Sequence, residues 1–177
     1  MNFKTFLVLS LCICLSFAGY SPKHFWQNDA RWSGTRFGFG YKTFAEDGSL
    51  VISIASIVAG LDIYLEYMNL CDPITMDWWL KRHGGYVQND QIVWESLSPL
   101  GLEFTGFTIN HEVMINAILK RNVVILEIKG ENRYVVGFMV DADGFLCVDP
   151  SEGEFSGLLY YSIDDIAKAG IYKVNIL

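Results

Sequence analysis

Residues 44–52 read F-A-E-D-G-S-L-V-I, and the apolar run that opens at Ser49 continues to Met68. A short acidic turn ends at Gly48, and Asp47 and Gly48 supply a helix start. From Ser49 the segment S-L-V-I-S-I-A-S-I-V-A-G-L-D-I-Y-L-E-Y-M is apolar nearly all round until Asp62. Such a helix has no solvent face and sits at the centre of a core. The rest of the chain is therefore expected to wrap around residues 49–68.

Downstream, P-I-T-M-D-W-W-L-K-R-H (73–83) predicts a second helix, stopped by Gly84 and Gly85. Residues 90–100 predict a third short helix ended by Gly101, and L-E-F-T-G-F (102–107) a strand. Asn110 caps H-E-V-M-I-N-A-I-L-K-R, a fourth helix with apolar residues at helical spacing. The last third turns to strands: V-V-I-L-E-I (123–128), then Y-V-V-G-F-M-V and F-L-C-V-D in a hairpin around D-A-D-G (141–144). A short helix, I-D-D-I-A-K-A (163–169), and a final strand, I-Y-K-V-N-I (171–176), follow. Helices first and an antiparallel sheet after make an α+β domain, with the buried N-terminal helix packed on the sheet. Gly144 suits a three-residue hairpin loop, which sets residue 137 opposite 149 and puts Arg133 and Asp149 on one face.

A length of 177 residues suits one domain, and 51% hydrophobic content is ample for a core. The net charge of −7, with no Lys/Arg cluster, excludes an electrostatic nucleic-acid binder. Residues 1–18 carry Lys4, then an apolar run, then Ser16 and Ala18 before Gly19, the pattern of a secretory signal peptide. The expected layout is a leader at 1–18 and one domain at 19–177, with residues 19–48 an irregular Gly- and aromatic-rich arm. The expected location is secreted, periplasmic or in the cell envelope. An uncleaved leader acting as an anchor is the alternative, and the only membrane association expected. Cys71 and Cys147 read as two buried thiols, although export permits a disulfide. Two body cysteines and three scattered histidines lack zinc-ligand spacing, and no cofactor or metal is expected.

An arm carrying Gln27, Asp29 and Trp32 leads to Gly48-Ser49 at a helix start. W-L-x-x-x-G-G-Y (Trp79 to Tyr86), I-V-W (Ile92 to Trp94), an aromatic-Val-Val-Gly strand and V-D-P (Val148 to Pro150) follow in that order. Over residues 24–160 this resembles the papain-like cysteine peptidases of the C-39-like type, related to the double-glycine-leader peptidases and found in bacteria and phages. The resemblance implies a papain-like fold. It puts Ser49 at the position of the catalytic cysteine and Arg133 at that of the histidine. Asp149 matches the orienting acid and Gln27 the oxyanion-hole donor.

A Cys–His pair works because imidazole draws the thiol toward thiolate. A serine needs a general base within hydrogen-bond reach, and arginine, always protonated, cannot accept the proton. Arg133 beside Asp149 reads as an ion pair, and Ser49 as a helix N-cap or first-turn residue retained at an old nucleophile position. His24 reads as an arm residue, His83 as the end of a helix and His111 as a first-turn residue. Lys42 is the one other base considered for Ser49. Glu46 and Asp47 read as solvated turn carboxylates, and Trp78, Trp79 and Trp94 as core. Gly38-x-Gly40 lacks the context of a phosphate loop.

The resulting expectation is an exported pseudo-peptidase that holds a peptide, a cell-wall fragment or a partner protein without cleaving it. A serine-based hydrolase using Ser49 and a structural component of a virion or envelope are the alternatives.

Overall fold

The computed structural model describes residues 20–66, 70–153 and 157–175, so the leader expected at 1–18 lies outside the described residues. Among the described residues, four helices, α1 (Phe44–Asp47), α2 (Ser49–Gly60), α3 (Pro73–Arg82) and α4 (His111–Leu119), accompany six strands. These are β1 (Leu102–Thr108), β2 (Val123–Ile128), β3 (Tyr134–Val140), β4 (Gly144–Val148), β5 (Leu158–Ser162) and β6 (Ile166–Val174). They form one open antiparallel sheet in the order β1-β6-β2-β3-β4-β5. The fold is mixed α+β, with helices on both faces of the sheet.

The unbroken apolar run of β2 follows from that layering. Val123 and Ile125 join the core under α2 and α3, while Val124, Leu126 and Ile128 join the core under α4. A strand covered on both faces cannot alternate apolar with polar. The α2 core also takes Phe25, Trp32 and Phe37 of the arm, and the α4 core takes Met114, Ala117 and Ile118. Cys71 belongs to the first core and Cys147 to the second, so the sheet separates two free thiols.

The central helix is buried all round but shorter than the sequence suggests. It stops at Gly60 because Asp62 turns left-handed (φ 53°). The Ile63 N–H then bonds the Val58 carbonyl at 3.1 Å and the Asp62 N–H the Ala59 carbonyl at 3.3 Å, a Schellman closure. The helix expected at 90–100 is instead two 3-10 segments, Gln88–Asp90 and Trp94–Leu100, the second containing Pro99 and ended by Gly101 in the left-handed conformation. The helix expected at 163–169 is a single 3-10 turn, Ile163–Asp165, running straight into β6. Its Ala and Lys favour a helix locally, but the segment lies between β1 and β2, where both edges need ladder partners. Gly170 lets Trp94 lie against β6; a Cβ there would stand 2.1 Å from Trp94 Cζ3.

The hairpin register also differs from expectation. Val140 faces Phe145 and Met139 faces Leu146, then a bulge at Phe138 brings Gly137 opposite Cys147 and Val136 opposite Val148. The turn has two central residues, because Asp141 Oδ1 accepts the N–H groups of Asp143 (2.9 Å) and Gly144 (3.0 Å) and tightens it. Gly144 is needed for space rather than for a left-handed backbone: a Cβ would stand 2.1 Å from the Tyr161 carbonyl oxygen. The bulge restores the parity that the tighter turn changes. Arg133 and Asp149 therefore still share a face.

Candidate functional site

The register explains what happens at Ser49. Continued past Val136↔Val148, it sets Pro150 opposite Tyr134. Proline has no N–H to give to the ladder. The pairing stops there, and the central helix takes over the exposed backbone of Tyr134. Ser49 Oγ accepts the Tyr134 N–H at 3.2 Å, and Ser53, one turn on, donates its hydroxyl to the Tyr134 carbonyl at 3.0 Å. The two serines stand at i and i+4 on one helix stripe and clamp one strand residue. Of the two places expected for Ser49, N-cap or first turn, it takes the first turn. The N-cap is Gly48, Ser49 is the first helical residue, and its oxygen bonds across to β3.

Arg133 points to the other side of the sheet. Its Nη1 donates to Asp149 Oδ2 at 2.8 Å and to Ser151 Oγ at 2.7 Å, and its Nε lies 2.8 Å from Glu131 Oε2. Asp149 is fully buried, and Oδ2 also accepts the Tyr161 hydroxyl. Asp149 Oδ1 accepts the Ser151 N–H and hydroxyl, both at 2.8 Å. Burial opposes the Arg133 charge, but Asp149, Tyr161 and Glu131 outweigh it and raise the guanidinium pKa. Burial, then the bond to Asp149, drives the Tyr161 phenol far up. The expected Arg133–Asp149 ion pair is present, beside Tyr161 of the α4 core.

Gln27 joins the two places. Its backbone N–H bonds the Pro150 carbonyl at 2.6 Å and its side-chain amide donates to the Ala45 carbonyl at 3.0 Å. Ser49, Arg133, Asp149 and Gln27 thus gather around Tyr134 and Pro150, but Ser49 and Arg133 share no hydrogen bond. None of the three histidines bonds Ser49. His83 caps the end of α3 and stacks on Trp79 at 4.2 Å, His111 opens α4, and His24 packs over Gly157. Lys42 is bound to Asp47 at 2.6 Å, which raises its pKa and keeps it an ammonium. Asp47 is therefore paired rather than simply solvated, and Glu46 closes a capping box with Thr43.

A cleft of about 590 Å³ opens beside this junction. Leu50 and Val51 form part of its lining, with Trp94, Phe107 and Tyr134 as an aromatic wall and Asp47, Asn132 and Asp90 among its polar groups. Ser49 itself is 3% exposed and does not line it. Asn132 bonds Asp47, and Lys168 pairs with Glu127 at 3.1 Å while lying over the Phe107 ring. Trp79 is core as expected and Trp94 lies in an aromatic cluster, but Trp78, expected in the core, is 56% exposed.

The sequence reading passed over one further polar centre. Asp77 is buried on α3, where Oδ1 accepts the Gly38 N–H and the Tyr86 hydroxyl, both at 2.8 Å, and Oδ2 pairs with Lys81 at 2.6 Å. Its i,i+4 spacing to Lys81 was the available signal. Among the described residues no three His, Cys, Asp or Glu side chains gather as a metal site, and no helix is long and apolar enough to cross a membrane. Compared with protein-family models, curated proteins and solved structures, the chain matches none.

Proposed function

We propose that this chain is an exported binding protein on a papain-like, C-39-like fold that has lost peptidase chemistry. It holds an extended peptide, free or as part of a cell-wall fragment or partner protein, in the cleft beside Ser49. One observation carries the reading: the Ser49 hydroxyl is buried and committed to the Tyr134 N–H, with no base on it. A serine nucleophile needs an exposed oxygen and a proton acceptor within hydrogen-bond reach. Arg133, at the position matching the family's base, is a protonated group engaged with Asp149. The neighbouring cleft offers a recognition surface, an aromatic wall facing a lining rich in charged and amide side chains that suits the polar backbone of a peptide.

The test is incubation of the protein and of Ser49→Ala with peptide and muropeptide pools, read by mass spectrometry, alongside a fluorophosphonate probe. Retention of peptides with no cleavage and no labelling is expected from both proteins. Cleavage or labelling that disappears in Ser49→Ala would overturn the reading in favour of a serine hydrolase.

A further inference from the structure

One wall of the cleft is held by an unusual internal contact. Asp90 Oδ1 accepts the N–H of Phe39 at 2.6 Å and of Gly40 at 2.8 Å. Successive amides after a residue of positive φ, here Gly38 at 60°, form a concave site for an anion. Both glycines leave room for the carboxylate: a Cβ on Gly38 would stand 2.2 Å from Asp90 Oδ1, and one on Gly40 1.9 Å from Asp90 Oδ2. The carboxylate is delivered by a strained turn, since Asn89 and Asp90 both have positive φ, 63° and 59°. Asp90, Asn89 and Gln91 line the cleft, whereas Phe39 and Gly40 do not. Asp90 thus stands between the cleft and two amides suited to an anion.

We infer that the Phe39–Gly40 amides are a carboxylate subsite of the cleft, occupied in the free protein by Asp90 and open to the terminal carboxylate of a bound peptide. The inference rests on the peptide-binding reading above and adds its polarity: the C-terminus lies at the 38–40 loop. Binding exchanges one carboxylate for another on the same donors and relaxes the 89–90 turn.

The test uses a random hexapeptide pool made twice, with free C-terminal carboxylates and with amides. Asp90→Ala, whose Phe39 and Gly40 amides are free, is expected to retain the acid pool about tenfold better than the amide pool, the size of one charge-assisted hydrogen bond. The parent should show the same preference at smaller size, because Asp90 must first give up those donors. Asp90→Ala should raise retention of the acid pool and leave the amide pool unchanged. Gly40→Ala, whose Cβ fills the carboxylate position, should abolish the preference. Equal retention of both pools by the parent and by Asp90→Ala would overturn the inference while leaving the cleft reading intact. Retention of neither pool by any of the proteins would sink the cleft reading instead. The subsite itself is then decided by titrating Asp90→Ala with acetate: the Phe39 and Gly40 amide resonances should shift, and chloride at equal ionic strength should not shift them. Unmoved amides would overturn the subsite.

Discussion

On the α2 side of the sheet, the polar groups at the start of β3 are neutral: two serine hydroxyls and the backbone of Tyr134. On the α4 side, a few residues away, they are ionic: a buried carboxylate held by Arg133, Tyr161 and Ser151. Both sets complete their hydrogen bonds where Pro150 interrupts the ladder. They differ in what remains when one member is removed. A lost serine leaves a dipole short of a partner, whereas a lost arginine leaves a buried charge. The difference teaches that Ser49 and Arg133 both act as fastenings at the start of β3, and that the charged fastening matters more.

The largest effect should come from Arg133→Met, which strands Asp149. About 3 kcal/mol of stability should be lost, measured by urea unfolding. A loss below about 1 kcal/mol would break the comparison, since the ionic side would then be no stronger than the neutral one. Tyr161→Phe removes one of the bonds to Asp149 and should cost about 1.5 kcal/mol, the scale of a hydrogen bond to a charged group. Ser49→Ala leaves the Tyr134 N–H without its partner and should cost about 1 kcal/mol, with Ser53→Ala similar. Equal losses for Ser49→Ala and Arg133→Met would erase the contrast between the two sides.

The narrowest effect is alkaline, confined to high pH. Burial, then Glu127, pushes the Tyr134 phenol up to about 12. In the unfolded chain it ionises near 10. The folded state therefore keeps a proton that the unfolded state releases. Its contribution is complete below about pH 10 and is lost as the pH rises toward 12. Tyr134→Phe should make that part of the stability profile less steep without levelling it, because Tyr86, Tyr161 and Tyr172 are raised as well, with phenolate absorbance reporting the ionisation.

Much of this could be read from the residues. The apolar run from Ser49 gives the central helix, V-V-I-L-E-I a strand covered on both faces, and Asn110 a capped helix. What misled were places where tertiary demands override local preference. Asp62, not a glycine, takes the left-handed turn that ends the helix at Gly60. I-A-K-A has helical residues but lies mid-sheet, and L-L-Y-Y-S is too short an edge strand to announce itself. At the candidate site, charge and strand parity sufficed to pair Arg133 with Asp149. The Ser49 contact was not legible because its partner is a backbone amide, which carries no residue signature. Pro150 was the clue, since a proline ending a strand leaves its neighbour's backbone to be satisfied by something else.

β6, the last strand in chain order, lies between β1 and β2 and is the only described strand that pairs with β1. The sheet therefore cannot assemble in the order in which the chain is made. β1 has no ladder partner until β6 joins it, whereas β2 to β5 can pair with one another in chain order. Closure of this kind depends on contacts distant in sequence, which slows folding and prolongs the exposure of unpaired edges. A disturbance within residues 166–174 would cut the ladder at a seam, leaving β1 held by packing alone beside four strands that can still pair without it.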